Sequence, residues 1–280
     1  MKLTLGISPC PNDTFIFDAL IHHKVDTEGL TFEVIFADVE TLNQKAFTGE
    51  LAISKLSFFA YFHVLDKYVL LHSGSALGFG VGPLLITNSG ITLADLQAQP
   101  QLRVGIPGKY TTANFLLSML APQLQNKQEM LFSSIEQALI DQEIDVGLII
   151  HENRFTYQAK GLKKIIDLGQ YWDSLTHCAI PLGGIAVKRD LPDPIKQKVN
   201  RIIRRSVEFA FDHPTSGSAW IRSKAQEMSQ EVINQHIRLY VNEYSLDLGS
   251  EGRGAIAFFF DEAMRRGLVP ASDKGLSWGV

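Results

Sequence analysis

Cysteine is scarce in this chain of 280 residues, and the two that occur, Cys10 and Cys178, stand far apart. Without Cys-x-x-Cys spacing they exclude a disulfide scaffold and fit free thiols in a reducing cytosol. Positive charge is not in excess either. Lys and Arg number 26 against 30 Asp and Glu, and the net charge of −4 gives no basic stripe for nucleic acid. The 17 Phe do not alternate with Lys and Arg, and a run such as Phe258-Phe259-Phe260 reads as core rather than as a base-stacking surface. Long apolar runs are missing: no stretch approaches the roughly 18–20 residues that cross a bilayer. The segment from Met1 to Pro9 lacks the apolar centre of a secretory signal. The expectation is a cytoplasmic globular protein with no membrane span and no nucleic-acid partner, its oligomeric state left open.

What is present points to an α/β chain. Hydrophobic residues make up 45% and charged residues 20%, ordinary for a globular protein, and the length suits two lobes better than one. Leu3, Leu5 and Ile7 alternate, as do Leu30, Phe32, Val34 and Phe36, so two strands flank a helix that begins near Asn12 or Asp13. A second series follows Leu96: strand 103–106, helix 112–121, helix 135–141 and strand 145–150. Ile195, Val199, Ile202, Ile203, Phe209 and Ala210 mark a long amphipathic helix, and further helices close the chain. The expected division is a larger α/β lobe from residues 1–88 and 186–280 and a smaller one from 89–185. Segments 82–87 and 183–188 are expected to cross between them as a two-stranded hinge on which the lobes close.

One phrase occurs twice. A helix with an apolar face stops at a turn, a Glu follows, and a short strand carries an ionisable residue at or past its end: Lys55 after Leu51 to Ser54, and His151 after Asp145 to Ile150. Ligands of open α/β sheets collect at the carboxyl ends of strands, so Lys55 and His151 are expected on opposite walls of one crevice.

Several familiar signatures fail. Gly78-Phe79-Gly80-Val81-Gly82-Pro83 lacks the third glycine of a dinucleotide fingerprint, and Gly108-Lys109 is followed by Tyr110 rather than by Ser or Thr. His151-Glu152-Asn153-Arg154-Phe155 starts like a zinc helix but has Phe155 where the second histidine belongs, so no metal site is expected.

Two loops do carry binding chemistry. Ser8-Pro9-Cys10-Pro11-Asn12-Asp13 joins a strand to a helix through two prolines that fix its shape, which makes Ser8 and Asn12 candidates for a site wall, with Asn12 or Asp13 as helix cap and Cys10 as packing. Gly105 to Ala113 delivers a second strand into a helix N-terminus, where Thr111 and Thr112 can hold a carboxylate; self-capping by one Thr is the plainer alternative. Lys55, Leu56 and Ser57 offer an ammonium and a hydroxyl beside the expected crevice. His151 alone among the eight His ends an apolar strand, whereas His236 and others fall where surface or capping roles dominate. An imidazole with no metal partners in reach suits proton transfer; a satisfied structural histidine is the alternative on this argument. If the strand runs on, Glu152 points to the opposite face and cannot orient it.

Taken together, Ser8 to Phe15, Ser54 to Ser57, Gly108 to Ala113 and Gly147 to Glu152 with Arg154 to Tyr157 resemble the 1,4-dihydroxy-6-naphthoate synthases of the futalosine route of menaquinone biosynthesis. The resemblance runs along almost the whole chain. It implies a two-lobed type II periplasmic-binding-protein-like fold with a ligand cleft between lobes. It also implies a cofactor-free carbon–carbon lyase that turns cyclic dehypoxanthinyl futalosine, a small carboxylated substrate, into 1,4-dihydroxy-6-naphthoate. His151 would be the base, with Lys55, Leu56, Ser57, Thr111, Thr112, Ser8 and Asn12 at the substrate. Chorismate dehydratase, which shares the fold, and a cytosolic solute-binding protein are the alternatives.

Overall fold

The structure is a computed structural model that describes residues 1–225 and 229–278. Eleven strands are found among these residues: β1 (Lys2–Ile7), β2 (Thr31–Phe36), β3 (Ile53–Ser57), β4 (Tyr68–Leu70), β5 (Ala76–Gly78), β6 (Leu84–Thr87), β7 (Val104–Ile106), β8 (Lys127–Glu129), β9 (Val146–Ile149), β10 (Lys163–Asp167) and β11 (Ile180–Lys188). They form two sheets in two compact units, one of Met1–Gly78 with Pro181–Val280, the other of Phe79–Ile180.

In the first unit the sheet order is β2-β1-β3-β11-β4, with β5 also on β11. β1 runs parallel to β2 and β3, the mark of crossover connections through the helices Pro11–Ile21 and Val39–Thr48. β11 returns late in the chain and pairs antiparallel with β3 and β4. The helix Asp193–Asp212 sends Val199, Ile202, Ile203 and Val207 into the core that holds Leu5, Ile7, Phe17 and Val187. It also clasps the first helix, since the Ser206 hydroxyl donates to the Ile16 carbonyl at 2.6 Å and accepts the Leu20 N–H at 3.0 Å. A buried serine whose donor and acceptor are both used costs little.

In the second unit the order is β10-β6-β9-β7-β8, with β7 parallel to β8 and β9. The helix Ile135–Ile140 lies so close to β9 that a Cβ on Gly147 would meet Ile135 Cγ2 at 2.7 Å and Leu139 Cδ1 at 2.8 Å. Glycine there lets the helix seat Ile135 and Leu139 directly on the strand that leads to His151.

Three expectations change. Segments 82–87 and 183–188 do not pair with each other as strands: β6 lies between β9 and β10 in one sheet, and β11 lies between β3 and β4 in the other. Apolar runs buried on both faces, such as Leu84-Leu85-Ile86 and Ile185-Ala186-Val187, belong in sheet interiors. The chain passes from unit to unit at Gly78 to Phe79 and again at Ile180 to Pro181, ahead of the expected positions near 88 and 185. Lastly, the strand expected to stop at Ser54 runs from Ile53 to Ser57, because β11 pairs with its second half, matching Lys55 with Ile185 and Ser57 with Gly183. That pairing partner lies more than a hundred residues away and leaves no local trace. No helix among the described residues is long and apolar enough to cross a membrane.

Candidate active site

The loop after β1 is organised around one carboxylate. Pro11 occupies the first helical turn, so Cys10, not Asn12 or Asp13, is the helix N-cap, and it makes no side-chain cap bond. Asp13, one turn in, is fully buried and reaches back. Its Oδ2 accepts the Ser8 backbone N–H at 3.1 Å, and its Oδ1 accepts the Asn12 amide at 2.9 Å and the Lys55 ammonium at 2.7 Å. Since Gly6 and Ser54 are register partners in parallel strands, Lys55 emerges beside this loop. Lys55 is 6% exposed, and an unpaired ammonium in that position would carry a large desolvation cost; Asp13 supplies the counter-charge.

The network extends one residue further. Asn12 spends its amide N–H on Asp13, so its Oδ1 is the acceptor facing His236, whose Nε2–H donates at 2.9 Å. His236 on the helix Gln230–Tyr240 has no exposed surface, contrary to the surface or capping role expected for it. A separation of 224 residues hides this contact from the sequence.

Ser57 shares the Lys55 face of β3, and Leu56 lies on the other face, 1% exposed. Asn43 brackets Ser57, accepting its backbone N–H at 3.0 Å and donating to its Oγ at 3.3 Å. The structure thus brings Ser8, Asn12 and Lys55 together around Asp13, sets Ser57 on the same strand face as Lys55, and does not place the Leu56 side chain with them.

In the second unit β7 and β9 are parallel neighbours, so the loops that follow them leave one end of the sheet. After β7 comes Gly108 at φ +147, then Thr111 as N-cap of the helix Thr112–Leu120. The Thr111 hydroxyl accepts the Asn114 N–H at 3.2 Å and donates its one proton to the Gly108 carbonyl at 2.8 Å. Self-capping therefore accounts for Thr111, and its hydroxyl is not a donor toward a ligand in this structure. Thr112, 4% exposed, is the first residue of the helix.

After β9 comes His151, with φ +57. A non-glycine residue in this left-handed region carries strain of about 1–2 kcal/mol. The Phe132 ring meets the imidazole edge-on, centroids 5.0 Å apart. The left-handed residue ends the extended run, and Glu152 turns directly into the helix Asn153–Thr156 with φ −65 and ψ −29. Glu152 is buried, and one of its carboxylate oxygens lies within 4.8 Å of a His151 ring nitrogen. Arg154 anchors the following turn, donating to the Gly80 carbonyl at 2.9 Å, to the Gly82 carbonyl and to Asp167 Oδ2 at 2.6 Å. Asp167 caps the next helix through the Gly169 and Gln170 N–H groups. Asp173 accepts the Gly80 N–H at 2.6 Å, and burial pushes its carboxyl above the usual range.

A family model described as menaquinone biosynthesis matches residues 3–265. The chain belongs to the menaquinone-biosynthesis family. Its relatives include the 1,4-dihydroxy-6-naphthoate synthase of Thermus thermophilus, 46% identical over 98% of either chain. That of Streptomyces coelicolor is 40% identical over 96% of this chain and 95% of the relative. Among solved structures, protein AF1704 of Archaeoglobus fulgidus is 34% identical, with a TM-score of 0.89 over 95% of this chain and 98% of the other. The alkanesulfonate-binding protein SsuA of Xanthomonas axonopodis pv. citri has a TM-score of 0.70 at 11% identity, over 96% of this chain and 94% of its own, a likeness of fold alone. This member of the family accordingly has the α/β fold of the periplasmic binding proteins.

Sequence reasoning missed Asp13 as the hub of the first cluster, although a buried lysine demands a counter-ion. Glu152 was set aside on the premise that the strand continues through His151, which the left-handed turn removes.

Proposed function

We propose that this family member is a cytoplasmic, cofactor-free carbon–carbon lyase converting cyclic dehypoxanthinyl futalosine to 1,4-dihydroxy-6-naphthoate with release of a three-carbon fragment. The reading is carried by the near full-length likeness to two synthases of that name. The chemistry of the side chains supports it.

A cleavage that ends in an aromatic ring is started by removing a hydroxyl proton, which a positioned imidazole performs. His151 takes that role. Its strained backbone, at the end of a strand clamped by the helix Ile135–Ile140, is the kind of outlier retained where a side chain must be aimed. The substrate carboxylate needs donors. An ammonium has three N–H groups and Asp13 takes one from Lys55, so the others serve the anion, with Ser57 beside them. In the second unit Thr112 and the helix N-terminus it opens hold a further anionic or carbonyl oxygen, and Thr111 keeps that helix end in shape. Ser8 and Asn12 act by fixing Asp13, and Leu56 through packing.

Incubating the protein with the cyclic substrate should generate naphthoate absorbance, and chorismate should remain unconsumed. Consumption of chorismate would instead favour a dehydratase, and tight binding with unchanged ligand a binding protein.

A further inference from the structure

We propose that Glu152 is a positioning residue for His151, its carboxylate stabilising through space the imidazolium formed when His151 takes up a proton. The inference deepens the reading of His151 as the base and rests on it.

Three observations carry it. First, the left-handed backbone at His151 breaks the alternation that would send consecutive side chains to opposite faces, and Glu152 enters a helix at once. The two side chains converge, with oxygen and ring nitrogen within 4.8 Å. Second, Glu152 is 3% exposed, so its charge acts through a poorly screened medium. Third, charged groups on neighbouring elements of this unit are engaged with one another. On the helix Asn153–Thr156, Arg154 is held by Asp167. On the helix Ile135–Ile140, Glu136 takes the Asn153 amide and the Lys160 ammonium at 2.6 Å. From the turn Phe132–Ser134, Phe132 presents only an aromatic edge to the imidazole.

An opposite charge within about 4–6 Å favours the charged form of an imidazole. Glu152 touches no reacting atom in this scheme.

The test is Glu152→Gln, which preserves shape and removes charge, compared with wild type and Glu152→Asp. Glu152→Gln should lower kcat by roughly 10–100-fold with KM little changed, and should move the acid limb of the kcat/KM profile about one unit toward lower pH. Glu152→Asp should recover part of both. The His151 imidazole, assigned by the resonance lost in His151→Ala, should titrate in the wild-type protein above the ordinary value of about 6.5. It should fall in Glu152→Gln. An imidazole titrating at or below the ordinary value in wild type overturns the proposal, whether or not the variants fold. An unchanged acid limb in a folded Glu152→Gln does so too. If His151→Ala keeps its turnover, the assignment of the base fails, while the imidazole titration separately decides the pairing.

Discussion

The two clusters that carry ionisable side chains are built on opposite plans. Around Asp13 in the first unit, the charges are paired, buried and knitted by long-range hydrogen bonds, with Lys55 at 2.7 Å and His236 joined through Asn12 at 2.9 Å. Around His151 in the second unit, the constraint is local: a left-handed residue at the end of a strand, an aromatic edge against the ring, and a carboxylate on the next residue. The first plan makes a rigid anchor whose removal endangers the fold. The second holds one imidazole in place at small cost in stability. The proposed binding residues and the proposed base should therefore respond differently to substitution.

The largest effect separating them is on folding. Asp13→Ala should destabilise the protein by about 3–5 kcal/mol, because it strands the Lys55 ammonium in the interior. Replacing both residues, as Asp13→Leu with Lys55→Met, should cost less than the single change. Chemical denaturation midpoints read this directly, and a double variant worse than Asp13→Ala would break the comparison.

Next come the two threonines, which sharpen it within a single helix start. Thr111→Val should cost about 1 kcal/mol of stability through the lost cap, with a modest change in substrate affinity. Thr112→Val should do the reverse, weakening affinity by about 1–3 kcal/mol for a charged acceptor with little change in melting. Titration calorimetry beside thermal unfolding checks the pair, and equal losses of affinity in both would restore Thr111 as a ligand donor.

The smallest effect concerns a second left-handed residue, Glu28, with φ +50. There the side chain is tied down: the Arg201 hydrogen bond, then that of Arg205, holds its carboxyl near 2 instead of 4.5. A depressed folded value means stability that is present above about 4.5 and lost as pH falls through about 2. Both arginines are partly exposed, which limits the contribution to about 1 kcal/mol. Glu28→Gln should accordingly lower stability at neutral pH and flatten the acid limb between those values. An unchanged limb would mean that this ion pair contributes nothing.

Legibility in the sequence followed the range of the interactions. The alternation of Leu3, Leu5 and Ile7 and the spacing of Val199, Ile202 and Ile203 placed β1 and the helix Asp193–Asp212, because period alone decides which face is buried. The position of His151 past an apolar strand was visible for the same reason. The boundary of β3 was not, since its second half exists only through β11. Nor were the burial of His236 and the hub role of Asp13, which depend on partners brought in by the fold. The side on which Glu152 lies was hidden for a different cause: the positive φ of His151 ends the alternation, and although His adopts such values more readily than most residues, its type alone does not fix the turn.

The central claim is that His151 removes the proton that starts the cleavage. Its most direct test is single-turnover conversion of the cyclic substrate by His151→Ala and His151→Gly, each alongside its unfolding curve. The account predicts a loss of roughly 10²–10⁴-fold in both, with both folded and His151→Gly the more stable by about 1 kcal/mol because glycine adopts φ +57 without a Cβ penalty. Turnover near the wild-type rate in either variant would remove His151 from the mechanism.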